Sequence, residues 1–329
     1  MMRSRILAPL LAVVLAGVLF LTLRFGAVPT STGAVLAALR GGGDPTLRTI
    51  LLEFRLPRAV LALLVGGGLA MAGATFQAIL RNPLAEPYIL GISGGASVGA
   101  VIVIALGITA VGAWTLPLAA FAGALLAIVL VFRVATATGR GMDVRVLLLA
   151  GVVVGAFFSA CIALILSVSE ARTVRSAILW IMGSVAGATW ADVTLTALYT
   201  LPAAVILLTL ARPLNLLSLG EEPAHYLGAD VEGVKRTALA VAALITASGV
   251  AVAGVIGFVG LIIPHGIRLV AGSDHRRLMP LSFLAGGTFL ALADLLARLV
   301  LAPTEIPIGV VTAFVGVPVF LFLLRRSLT

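Results

Sequence analysis

Apolar residues run through this chain in long blocks, set apart by short polar punctuation rather than alternating with it. The first block is Ile6 to Leu23, and others cover 58–80, 88–107, 113–134, 145–168, 193–211, 237–257, 279–299 and 307–324. Each is close to the roughly 20 apolar residues that a helix needs to cross a hydrocarbon core. The stretch 258–272 is shorter, interrupted by Pro264 and His265, and reads as a short or re-entrant helix. The pattern predicts an all-α, polytopic membrane protein of about ten transmembrane helices. It forms one transmembrane domain over residues 1–329, with an outside loop at about 25–57 and a polar segment at about 212–236. The start, Met-Met-Arg-Ser-Arg before an apolar run, has the outline of a signal peptide. No convincing small-x-small cleavage site follows, so the run is taken as a span. Ten crossings put both termini on the cytoplasmic side.

Composition sharpens this reading. Hydrophobic residues make up 61% of the chain and charged residues 11%, against about a quarter charged in soluble domains. That excludes a soluble enzyme or a solvent-facing binding module. The net charge of +9 then points to lipid headgroups at cytoplasmic loops, not to nucleic acid. Fourteen of the 22 Lys and Arg fall at inside ends, among them Arg81, Arg140, Arg145, Lys235 and Arg268. Eight fall outside: Arg24, Arg40, Arg48, Arg55, Arg58, Arg172, Arg175 and Arg298. Five of these lie within 24–58, an excess that the positive-inside rule leaves unexplained.

Several chemistries are excluded or disfavoured. Cys161 is the only cysteine, so one chain can form neither a disulfide framework nor a thiolate metal site. His225, His265 and His275 lack metal-ligand spacing. Lys235 is the only lysine and no P-loop surrounds it. If ATP drives this protein, another subunit binds the nucleotide. Gly91-Ile92-Ser93-Gly94-Gly95 fits G-x-S-x-G but stands at a membrane-helix entrance, not a strand-to-helix turn. An intramembrane serine protease with His265 as base is therefore a remote alternative. An ion-coupled secondary transporter is the other; it would place ionisable groups at mid-membrane, where Asp294, near Arg298, is the only acid.

Small residues recur every four positions at Gly91, Gly95 and Gly99 and at Gly151, Gly155 and Ser159, a spacing for close helix packing in lipid. Leu69-Ala70-Met71-Ala72-Gly73 resembles Val250-Ala251-Val252-Ala253-Gly254 at an offset of 181, which also places Pro83 on Pro264. The two copies would run in opposite directions, an inverted internal repeat of the kind that marks transport pathways.

Two prolines and an Arg/Asn/Glu set interrupt apolar sequence at Arg81-Asn82-Pro83-Leu84-Ala85-Glu86-Pro87. Backbone of this kind lies within protein or lines a cavity. Together with Leu56-Pro57-Arg58, Gln77 and Leu90-Gly91, it resembles the first signature of the permease subunits of ABC importers for iron–siderophores, haem and cobalamin. Ala253-Gly254-Val255-Ile256-Gly257-Phe258-Val259-Gly260-Leu261-Ile262-Ile263-Pro264-His265 with Arg268 resembles the second signature. Asp294 with Arg298, Glu305 to Thr312 and Gly316-Val317-Pro318 resemble the C-terminal pattern.

The resemblance implies an inner (plasma) membrane permease without catalytic residues that moves an iron chelate (siderophore or haem) or cobalamin. It would work as a homodimer with two ATP-binding subunits and a substrate-binding protein, in contact with lipid and not with nucleic acid. No cofactor or metal is expected on this chain; ATP and Mg belong to the partner subunit. Gln77, Asn82, Pro83, Leu84, Pro264 and His265 are the expected translocation and gate residues. Within 212–236, Leu219, Gly220, Glu221, Glu222, Ala224, Leu227 and Gly228 resemble a coupling helix for the ATPase, with the glycines as helix stops. Arg55, Arg58 and Arg298 resemble the cations that receive acidic residues of the binding protein. Met142-Asp143-Val144-Arg145 lacks the small hydroxyl residues that some cobalamin permeases carry before the fifth span.

Overall fold

The computed structural model describes residues 2–26, 28, 30–137 and 142–328, so Arg140 lies outside the described residues. Among them there are helices and no strands. The chain opens with α1 (Met2–Arg24), followed by α2 (Thr32–Leu39), α3 (Pro45–Thr49) and α4 (Leu56–Ile79). Next come α5 (Ile92–Leu106), α6 (Thr115–Thr136), α7 (Val144–Ser167), α8 (Ala171–Ile181) and α9 (Trp190–Thr209). Two short helices, α10 (Ala211–Leu217) and α11 (Glu221–Tyr226), lead into α12 (Val231–Ala253). The last three are α13 (Val259–Ala271), α14 (His275–Leu299) and α15 (Ile308–Leu328). Among the described residues seven helical stretches are long and apolar enough to cross a membrane, and three shorter apolar helices lie at 92–106, 259–271 and 308–322.

The expected outside loop at 25–57 is largely helical. Asp44 caps α3, its Oδ1 accepting the Leu47 N–H at 2.8 Å, and Pro45 occupies the first helical position. Both are helix-start signals. Beyond α3 the backbone widens into a π-helical turn, Ile50–Arg55, in which the Leu56 N–H reaches the Leu51 carbonyl. Pro57 follows; it has no N–H to give and crowds the carbonyl four residues back, so the wider turn suits this position. Helix therefore runs unbroken from Pro45 to Ile79.

Helix α4 is the buried centre, with α14, α12, α9 and α13 packed around it. Close approach needs glycine: a Cβ on Gly66 would strike the Gly286 carbonyl of α14, and one on Gly286 the Gly66 carbonyl. The Gly95 stripe works likewise, with its backbone against Gly123 of α6.

The repeat is present, but not at the register read from the sequence. Gly73 lies inside α4 while Gly254, at φ 70°, ends α12; Pro83 sits in a turn while Pro264 lies inside α13. Recurrence is in the helix lengths. The run of 24, 15, 22 and 24 residues in α4 to α7 is answered by 23, 13, 25 and 21 in α12 to α15. The leading helices of the two units pack antiparallel, Gly68 facing Ile245 and Val65 facing Gly249.

Candidate transport and coupling sites

The end of the bundle where α4 finishes carries the first site. Asn82 shapes the turn after α4: its side-chain Oδ1 accepts the Leu84 N–H at 2.9 Å while its own N–H goes to the Gln77 carbonyl. Arg81 takes a left-handed conformation at φ 48°. Pro83 and Leu84 are left exposed at the tip. Gln77 is buried, and its Nε2 donates to the Leu261 carbonyl at 3.1 Å and faces that of Gly260 at 3.4 Å. Pro264 and His265 are buried in the next turn of that same helix, α13. Gln77, Pro83 and Leu219 also border one cavity of about 580 Å³, shared with Arg268 and His275.

The break within the second signature, between α12 and α13, is pinned by residues for which the sequence reading gave no role. Phe258 starts α13 in a left-handed conformation, φ 69°, strain that needs external support. Glu86 supplies it, its Oε1 accepting the Phe258 N–H at 2.7 Å. Burial pushes the Glu86 carboxyl above its ordinary range, and the Phe258 bond opposes that. Tyr88 Oη donates to the Ile256 carbonyl at 3.1 Å and accepts the Ile256 N–H at 3.2 Å. Glu86-Pro87-Tyr88 thus clamps the break between α12 and α13.

The expected coupling residues form a compact unit. Gly220, at φ 129°, precedes α11, and Ala224 is its single buried residue. At the far end the Ala229 N–H bonds to the Ala224 carbonyl and the Gly228 N–H to that of His225, with Gly228 at φ 82°. This is a Schellman ending, which favours glycine at the left-handed position. Glu222 and Gly228 are exposed, and Glu221 is half-buried. Leu219, Tyr226 and Leu227 are 68%, 80% and 62% exposed, an apolar group beside a polar helix that suits a partner surface.

At the opposite end the three expected docking arginines are held within the chain. Arg55, Arg58 and Arg298 are not exposed cations. Arg55 is buried, and its guanidinium donates to the Leu23 and Val28 carbonyls, each at 2.6 Å, closing the α1–α2 connection. Arg58 grips Asp294 at 2.8 Å and Glu305 at 2.9 Å, while Arg298 meets Asp294 at 3.2 Å. Asp294 is fully buried, and a buried carboxylate must be paired; this requirement commits both arginines internally. Arg40, Arg48, Arg172 and Arg175 are the cations that stay exposed at this end.

The FecCD transport family model matches residues 12–326. The chain belongs to the FecCD transport family. It is 46% identical over 298 residues to the cobalamin import system permease protein BtuC of Halobacterium salinarum, covering 90% of this chain and 79% of that protein. It is 41% identical over 281 residues to the hemin transport system permease protein HmuU of Yersinia pestis, covering 84% of each. A solved ABC transporter of metal-chelate type, in an inward-facing conformation, superposes with TM-score 0.88 at 32% identity over 98% of this chain and 99% of that one. This FecCD member is a multi-pass permease subunit of an ABC transporter. Ser93 sits in the first turn of α5, not on a nucleophile elbow.

Proposed function

We propose that this permease imports an iron chelate, haem or cobalamin as a homodimer, served by two ATP-binding subunits and a substrate-binding protein. ATP and Mg are held by the partner subunits, and this chain carries no cofactor of its own. The α11 end faces the cytoplasm, with both termini on that side, and the Arg58 end faces outward across the inner membrane. The observation that carries the reading is α11 itself: a capped helix displaying Tyr226 and Leu227, with Leu219 just before it sharing a cavity with Pro83. An ATPase seated there moves the Asn82–Leu84 turn, Gln77 and the Pro264–His265 helix, which together form the inner constriction. The binding protein docks on the Arg58 end, where Arg40, Arg48, Arg172 and Arg175 are exposed.

The test is uptake in proteoliposomes containing permease and ATPase, with the binding protein loaded in turn with ferric siderophore, haem or cyanocobalamin. ATP-dependent accumulation of one of the three is expected. Uptake that persists without the ATPase and collapses with an ionophore would identify a secondary transporter instead.

A further inference from the structure

The α11 end also holds a second cavity, of about 850 Å³, bordered by Arg81, Met142, Arg145, Glu221 and Lys235. Lys235, the only lysine in the chain, is 2% exposed in its wall. Its ammonium donates to the Met142 carbonyl at 2.7 Å, to Glu221 Oε2 at 3.0 Å and to Glu232 Oε1 at 2.6 Å. An ammonium has three N–H donors, and all three are engaged. Glu232 closes the ring by accepting the Met142 N–H at 2.9 Å through its other oxygen. Met142, just before α7, is thus held at both its N–H and its carbonyl from α12, and the same cation holds α11.

A buried charge is a poor way to gain stability, since an apolar side chain of like size fills the space without desolvation. What it provides is directional attachment. Here the attachment joins three elements that otherwise meet little. Helix α7 can respond to it: it packs on α5 and α6, while Leu149, Val152, Val153 and Phe157 face outward at 60–65% exposure. One side of α7 has no partner within the chain to resist movement.

We propose that Lys235 is the positioning residue that carries displacement of α11 to the first turn of α7. The proposal rests on α11 being the helix that receives the ATPase. When the ATPase shifts α11, Glu221 draws on Lys235, and Lys235 moves the Met142 carbonyl. Lys235 itself touches neither ATPase nor cargo.

Hydrogen exchange followed by mass spectrometry tests this on the whole transporter in liposomes, resting and trapped with vanadate. In the wild type, trapping is expected to change exchange both in α11 and over 144–148. In Lys235→Met the α11 change persists while the change over 144–148 disappears, and uptake per ATP hydrolysed falls about tenfold, within the usual range for coupling between sites. Lys235→Arg, which keeps a cation for both carboxylates, recovers part of the loss. Glu232→Ala, a milder cut that frees the Met142 N–H on the exposed side, shows the same separation should Lys235→Met fold poorly. An unaltered response over 144–148 with normal coupling in both variants overturns the link. Absence of any α11 response in the wild type overturns instead the assignment of α11 on which the link depends.

Discussion

Gln77 supplies the hydrogen-bond donor that Pro264 withholds. In α13 the Gly260 carbonyl would accept from residue 264, but that residue is proline, and the Gln77 amide of α4 stands 3.4 Å from the vacant oxygen. A helix break in one half is thus completed by a side chain from the other. Gln77→Leu keeps the bulk and removes the donor, and is expected to destabilise by about 1–3 kcal/mol, the usual penalty for an orphaned buried carbonyl. Gln77→Glu, which sets a carboxylate against carbonyl oxygens, costs more. Thermal unfolding of the purified permease checks both, and equal stability of the leucine variant and the wild type would count against the pairing.

Gly228 stands at φ 82° with open space where a Cβ would point. Strain is therefore the whole penalty of a side chain there, roughly 1–2 kcal/mol for an ordinary residue. Gly228→Val is expected to loosen the end of α11 and weaken ATPase association while the helical circular dichroism stays unchanged. Gly228→Asn, more tolerant of left-handed backbone, should lie in between. Co-purification of the ATPase measures the order.

The charged cluster at the Arg58 end makes folding and docking separable. Arg58→Met leaves Asp294 buried with Arg298 as its remaining partner, and is expected to destabilise by about 3–5 kcal/mol. Arg172→Glu and Arg175→Glu, on the exposed face of α8, should each change stability by less than about 0.5 kcal/mol. They should instead slow encounter with an acidic binding protein, most clearly at low salt. Unfolding midpoints and surface binding at two ionic strengths distinguish the groups. Arg172 and Arg175 have no docking part if their reversal leaves association rates unchanged.

Asp274 links stability to acid. Hydrogen bonds from Arg276 and then from Asn215 hold its carboxyl down at about 2, below the ordinary value of about 3.9. For an acid whose folded pKa is depressed, the contribution is present above the unfolded value and is lost as pH falls through the folded one. The permease should therefore lose stability between about pH 4 and pH 2, and Asp274→Asn should flatten that part of the profile. Because the group is partly solvent-exposed, the effect is modest. Unfolding midpoints at pH 3 and pH 7 report it.

The sequence made the long helices and the α11 unit readable because their signals are local. Apolar blocks set α4, α7, α12 and α14, while Gly220 and Gly228 bracket α11 as helix stops do. The start signal at Asp44-Pro45 is equally local, yet the glycines before it and the arginines after it gave the stretch the look of a loop. The role of Arg58 depends on Asp294, 236 residues away, and that of Lys235 on Met142, 93 residues away. No spacing along the chain encodes such pairs. Arginines near the outer ends therefore read as free cations, and Lys235 read only as an inside charge and as a lysine without a P-loop. Glu86 stood in a recognisable signature and Tyr88 just beyond it, but their work is on the backbone of Ile256 and Phe258.

The unbroken helix from Pro45 to Ile79 spans 35 residues, about 50 Å at 1.5 Å per residue. That exceeds the roughly 30 Å of the hydrocarbon core, so the helix is longer than a perpendicular crossing needs. Arg55 and Arg58 lie along its first half and Gln77 near its last turn. A tilt of about 5° around the middle displaces each tip by about 2 Å, in opposite senses. Any such tilt would thus move the end near Arg48 and the turn at Asn82 in opposite directions.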